Sequence, residues 1–408
     1  MSHTVEDFRL ACYLSDRNTG RLFVICRRDG QTTVKPLPQG PASGLPPLER
    51  PILVGVDETD RVVLWDPRSK ALSHEEALPA DAFAAHCYRD PYSSRAWFMN
   101  DGDKESGNDT LHCGESGSSV TGIDHIDSQE ARYLATVCVG RGHHQAEFTA
   151  PVDDHPDIPR LLWVSSLRDG TLDVVVNDPE RDDDLTLAGR IDLREPERED
   201  GDGNHAYPHG TAFSVHTGHV YNLNNGYGNV VEVDPKRLEV LRRADFPGHS
   251  NLFATPGGRW LIGRGADRKS DPAHVLARLS VMDPETLEIR DRLMVPDVYF
   301  SKYFFSPDGA TLYLSTGATG NEAQRANLRQ GELLAFDLND LPSLHAPEAL
   351  ELGAAVGTLD FLPGGLIAAS LGERGVVALI DPLRFEVVEE IDLGLCLPHS
   401  RLWCLPVT

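Results

Sequence analysis

The chain has 408 residues, with 63 Asp and Glu against 38 Lys and Arg, a formal net charge of −25. A surface this acidic repels phosphate backbones and anionic lipid, so nucleic-acid binding and membrane-surface binding are both disfavoured. With 40% hydrophobic and 25% charged residues, the composition is that of a folded protein with an ample core.

The N-terminus, MSHTVEDFRLACYLSD, has no basic start followed by an apolar run, and no stretch approaches 18 apolar residues. Neither a secretory signal nor a membrane span is expected. The seven cysteines, at 12, 26, 87, 113, 138, 396 and 404, form an odd count without a CxxC pair. They read as free thiols in a reducing compartment, and the expected location is the cytoplasm. Cys87 and Cys404 read as buried inert thiols rather than soft metal ligands.

Taken in order, residues 8–85 contain strand-like runs at Arg21–Cys26, Thr32–Lys35, Ile52–Val56 and Val62–Trp65, with a Pro-rich loop over Pro36–Pro51. A repeated unit follows. The stretch His205–Pro235 shows it clearly: three short apolar-alternating strands, HGTAF, HVYNL and NVVEV, separated by Gly and Asn turns and closed by Asp234-Pro235. The first strand recurs as a fixed pattern, an opening residue followed four positions on by an aromatic. His144–Phe148, His209–Phe213, His249–Phe253 and His399–Trp403 fit it, as do Ser301–Phe305 and Gly357–Phe361 without the histidine. A looser copy opens at His86. Turns such as Ser306-Pro-Asp-Gly309 lead into second strands, and third strands end at Asp178, Asp234, Asp283, Asp337 and Asp381.

The segments Ser165–Val175 and Ser306–Leu314, with the Asp-Pro endings, resemble the YVTN-type repeat propellers over about residues 130 to 395. The resemblance implies an all-β, seven-bladed β-propeller, a fold in which radial repetition leaves only short, protected sheet edges. Seven blades of roughly 40 to 60 residues would use residues 1–408 as one domain. First strands start near 86, 144, 209, 249, 301, 357 and 399, and the last copy has too little chain left to finish a blade. Residues 1–85 are therefore expected to supply the missing strands, closing the ring by pairing the N- and C-terminal strands.

In such a ring the opening residues of the first strands converge on the channel mouth. With 16 His in 408 residues, seven equivalent slots should hold well under one by chance, yet His86, His144, His209, His249 and His399 occupy five. Neutral imidazoles gathered without carboxylates favour transition metals over magnesium or calcium. The pattern resembles the metal-histidine propellers, namely the copper-centre domain of nitrous-oxide reductase, thiocyanate dehydrogenase and, more distantly, the four-histidine iron site of carotenoid oxygenases. That resemblance implies copper, with iron(II) as the alternative, and a metal-dependent oxidoreductase acting on a small molecule. Glu147, Lys302 and Tyr303 are the candidate acid, base or substrate contacts near the mouth. His143 is a candidate sixth ligand or a supporting neighbour of His144, and as its strand neighbour it should point elsewhere. His205 and His209 have a helical zinc-pair spacing that Pro208 and the strand context oppose. The alternative is a non-catalytic platform for a protein partner. A lactonase-like hydrolase would want oxygen ligands in the channel rather than histidine.

Overall fold

A computed structural model describes residues 9–14, 22–37, 43–45, 53–56, 61–66, 71–77, 84–100, 113, 118–126, 132–199, 204–362, 364–398 and 400–405. The described strands form four-stranded antiparallel sheets throughout, as the repeat pattern requires. Helix is confined to one six-residue turn, Glu322–Asn327, and two 3-10 turns among the described residues.

Seven sheets contain the first strands recognised in the sequence: Ala84–Arg89, His143–Thr149, Pro208–Ser214, Asn251–Ala254, Phe300–Phe305, Leu359–Phe361 and Ser400–Leu405. The first six each run outward through the next three strands in chain order. The seventh is completed from the other end of the chain. Arg9–Leu14 pairs antiparallel with Ser400–Leu405, placing Ala11 opposite Trp403, and Leu22–Arg28 and Gln31–Leu37 continue the sheet. Pairing of the terminal strands is as expected.

The N-terminal segment does more than finish that blade. Ser43–Leu45, Leu53–Val56, Arg61–Asp66 and Ala71–Ala77 make a further four-stranded sheet of their own. Counting missed it because its three-residue first strand lies inside the Pro-rich loop and carries no aromatic. Only residues 9–37 are needed to complete the closing blade.

Neighbouring sheets meet along their first strands: His143–Thr149 packs on Pro208–Ser214, which packs on Asn251–Ala254. The first strands are thus innermost and their side chains line the axis. Burial falls off outward. The second strand Leu161–Ser166 and third strand Thr171–Val176 are fully buried, whereas the fourth, Leu187–Asp192, is mostly exposed. The apolar clusters lie between blades, for example Phe213, Val220 and Val231 against Trp163, Leu172 and Val174. Full burial of such side chains contributes about 1.5–3 kcal/mol each, so the blade interfaces carry the fold.

Close approach of the inner strands depends on Gly210, which has φ +76; a Cβ there would lie 2.6 Å from Leu252 N and 2.7 Å from Asn251 Oδ1 of the next blade. Buried acids tie strands within blades. Asp173 accepts from Ser166, Thr171, the Gly140 amide and Arg190, and Glu232 accepts from His219, Tyr221 and Arg242.

Candidate functional site

The repeat alignment puts five histidines at the openings of inner strands, but they do not form one equivalent set. His249 is the clearest departure. It is 1% exposed, stacked on Phe246 at 3.8 Å. Its Nδ1 lies 3.2 Å from the Phe246 carbonyl and its Nε2 2.9 Å from Ser280 Oγ. The geometry assigns a neutral ring whose Nδ1–H donates to the carbonyl and whose Nε2 accepts the serine hydroxyl. Burial lowers its pKa to about 3, with Arg278 and Arg292 adding to the effect against the Phe246 carbonyl. Both nitrogens are spent inside the blade, and a metal ligand needs one free. His249 is a buried structural histidine, a correction to the five-residue set.

His86 and His209 are half-buried on the inner strands Ala84–Arg89 and Pro208–Ser214, each beside a register shift in its strand pairing. His86 lies 6.3 Å from Tyr88, ring to ring. His143 and His144 open the inner strand His143–Thr149, for which a register shift falls between His143 and Ala146; for these two only the backbone is described. His399 lies outside the described residues. Among the described residues no three His, Cys, Asp or Glu side chains are grouped as a metal would need. His205 belongs to a different network, with its amide donating to Glu199 and its Nδ1 3.3 Å from that carboxylate.

The thiol expectation also changes. Cys113 and Cys138 form a disulfide, while Cys26, Cys396 and Cys404 are free. The even pairing was invisible because the two cysteines are 25 residues apart without a motif.

Two of the three candidate acid–base residues influence each other electrostatically. Glu147 lies on the inner strand His143–Thr149 and is half-buried. Desolvation pushes its carboxyl up to about 7, against the stabilising amides of Phe148 and of Phe213 on the next blade. The Phe148 amide donates at 2.8 Å. Tyr303, three blades further round, is close enough for the Glu147 charge to raise its pKa, after burial as the main cause, to about 12, with Arg264 opposing. The Tyr303 ring stacks on Phe253 at 4.0 Å with an interplanar angle of 5°. Lys302, the intervening residue of the pattern, is exposed and turned to the other side of its strand.

Sequence inspection passed over two further channel groups. Asp360 is held like Glu147: it accepts from the Phe361 amide at 2.8 Å and from the Cys404 amide of the next blade at 2.6 Å, and burial raises its pKa. Arg264, on the second strand Leu261–Asp267, reaches the neighbouring blade, where its Nη1 donates to the Phe300 carbonyl. A signal was present in Gly263-Arg264-Gly265, a cation between two glycines in mid-strand. A Cβ at Gly263 would meet the Phe246 ring at 2.0 Å, and one at Gly265 the Gly248 carbonyl at 2.1 Å.

No protein-family model matches the chain, and no curated protein matches it by sequence. Among solved structures it is similar to the periplasmic gluconolactonase PpgL of Pseudomonas aeruginosa, at 12% identity and TM-score 0.59, covering 99% of this chain and 100% of that one. It is also similar to the dihydro-heme d1 dehydrogenase NirN in complex with DHE, at 10% identity and TM-score 0.60, covering 94% and 72%. A putative 6-phosphogluconolactonase from Bacteroides uniformis matches at 11% identity and TM-score 0.54, covering 97% and 99%. At these identities the likeness shows the β-propeller fold alone.

Proposed function

We propose that the protein is an enzyme that acts on a small molecule held in the central channel, with Glu147 taking and returning a proton. The observation that carries this is the Glu147 carboxyl on the inner strand His143–Thr149, pushed up to about 7 by burial. A carboxyl balanced between its two forms near neutrality can serve as base in one half of a reaction and acid in the other. Tyr303, kept protonated by burial, would supply a hydrogen-bond donor to the same space. Solved propellers of similar fold include proteins named as lactonases and as a dehydrogenase, so the architecture accommodates both hydrolysis and redox chemistry.

The redox form of this reading draws its support from the sequence alone. It would need copper, or iron(II), on His86, His144, His209 and His399, because His249 does not fit the role. No step is assigned to a metal here. On location, the Cys113–Cys138 disulfide favours an oxidising compartment over the cytoplasm expected from the cysteine count.

The test is a turnover screen of small hydroxy acids, their lactones and their aldehydes, with a dye acceptor for redox and a pH indicator for hydrolysis. Parent and Glu147→Gln proteins are run side by side, each with and without added copper(II) or iron(II). A general acid–base residue contributes typically 10²–10⁴-fold, so the variant should lose about that much on any turned-over substrate. Equal turnover by both proteins, or none of the panel turned over by the parent under any condition, would overturn the proposal in favour of a protein-binding platform.

A further inference from the structure

We infer that Arg264 is an anion receptor at the channel mouth, so that the molecule taken there carries a carboxylate or phosphate group. This rests on the reading of the channel as a small-molecule site and specifies its ligand. The first observation is the missing counter-charge. Several arginines of this structure meet carboxylates, Arg95 with Asp184 at 2.6 Å, Arg190 with Asp173 at 2.5 Å and Arg374 with Glu390 at 2.8 Å, whereas Arg278 ends on the Pro247 carbonyl. Acids outnumber bases 63 to 38, so carboxylates are not scarce. Arg264 nonetheless pairs with none among the described residues; its one side-chain hydrogen bond goes to the Phe300 carbonyl, and its Nε is buried without a partner. Arg264 is half-buried, and a partly desolvated guanidinium without an anion is costly, since charges taken from water are as a rule paired.

The second observation is position. Arg264 faces Asn251 in the strand pairing of its blade, and its carbonyl takes the Ser250 amide at 2.8 Å. It therefore stands at the end where the inner strands begin, the face that also carries His209 and Ser301. Asn251 in turn touches the position of Gly210, next to His209. Tyr299 and Tyr303 flank the guanidinium closely enough to influence its ionisation, opposing the burial that lowers it. The Tyr303 hydroxyl, kept protonated by burial, can donate. A planar fork with a phenol donor beside it matches the two oxygens of a carboxylate or phosphate. The third observation is the net charge of −25. Anions are repelled by such a molecule as a whole, so taking one up requires a local cation shielded from the surface acids.

The experiment is isothermal titration of the whole protein with lactate and with inorganic phosphate, using glycerol as the uncharged control. Parent, Arg264→Gln, Arg264→Lys, Tyr303→Phe and Glu147→Gln proteins are compared, each checked for unchanged circular dichroism. Lactate or phosphate should bind the parent saturably, glycerol should not, and which anion binds identifies the group. Arg264→Gln should weaken binding at least about tenfold, the scale of a hydrogen bond to a charged group, and Arg264→Lys should restore only part of it because the fork is gone. Tyr303→Phe, which keeps the stack on Phe253, should weaken binding a few-fold and serves if the Arg264 variants do not fold. Glu147→Gln should bind as well as the parent or better, so that loss of the catalytic reading leaves this one standing. Anion binding unchanged in Arg264→Gln and Tyr303→Phe, or no anion binding by the parent, would overturn the inference.

Discussion

Replacing His249 by Phe separates a structural histidine from a metal ligand. The phenyl ring keeps an aromatic face for the 3.8 Å stack on Phe246 but removes both ring nitrogens. The Phe246 carbonyl and Ser280 hydroxyl are then left buried without their partners, although Arg292 still approaches Ser280 Oγ at 3.3 Å. An orphaned buried polar group costs about 1–3 kcal/mol, and the residual Arg292 contact lowers the Ser280 share, giving a loss of about 2–3 kcal/mol at pH 7.5. The sign of the pH dependence follows from a folded pKa of about 3 against 6.5 unfolded. Below pH 6.5 the unfolded chain takes a proton that the folded protein refuses, so the histidine's contribution is complete above 6.5 and is lost as pH falls toward 3. The slope is about 1.4 kcal/mol per pH unit. By pH 5 the parent gives up about 2 kcal/mol that the Phe variant never had, and the two proteins should become nearly equal. Urea unfolding, followed by fluorescence and circular dichroism together, measures the difference at both pH values. A stability gap that stays constant from pH 7.5 to 5, or bound metal lost from the variant alone, would refute the structural assignment.

Other outcomes follow from the same contacts. Arg95, buried against Asp184 and Asp124 with its Nη1 also on Asn177, links the blade of Ala96–Asn100 to that of Leu161–Ser166. Arg95→Met should cost about 3–5 kcal/mol in urea unfolding at pH 7, since it strands buried carboxylates. Thiol titration of the denatured protein should find two fewer thiols before reduction than the seven found after it, and changing Cys113 to Ser should abolish that difference. Glu147, raised from 4.5 to about 7, has the opposite pH sign to His249. Its protonated form is favoured by folding, so stability is complete below pH 4.5 and falls as pH rises through 7. The ceiling is about 3 kcal/mol and solvent in the channel lowers it to about 1–2 kcal/mol. Glu147→Gln should therefore be the more stable protein at pH 8, and a variant no more stable than the parent there would count against the raised carboxyl.

Fold and site were legible in the sequence to different degrees, for physical reasons. The aromatic four residues after each strand opening, as in His209–Phe213 and Ser301–Phe305, packs between blades and recurs because every interface needs it. It therefore marked six inner strands, while the looser copy that opens at His86 has Asp90 in the aromatic's place. The sheet within residues 43–77 has a short first strand without that aromatic, so nothing in its composition separated it from the closing blade. Closure itself could be read by counting, because a final strand without followers must borrow them. The histidines were misleading for a related reason. Alignment fixes where a side chain starts but not where it points, and His249 turns into its own blade because Phe246 and Ser280 satisfy it. Glu147 and Tyr303 were recognised from their place beside the openings. Arg264 was not, because it lies on a second strand and reaches the next blade by the length of its side chain.

The proposed chemistry depends most directly on the ionisation of Glu147, and carbon NMR of protein labelled at the glutamate side-chain carboxyl measures it. The Glu147 signal, assigned by its absence in Glu147→Gln, should titrate near pH 7. A signal that titrates in the ordinary carboxylate range near 4.5 would remove the proton-transfer group on which the proposed chemistry depends.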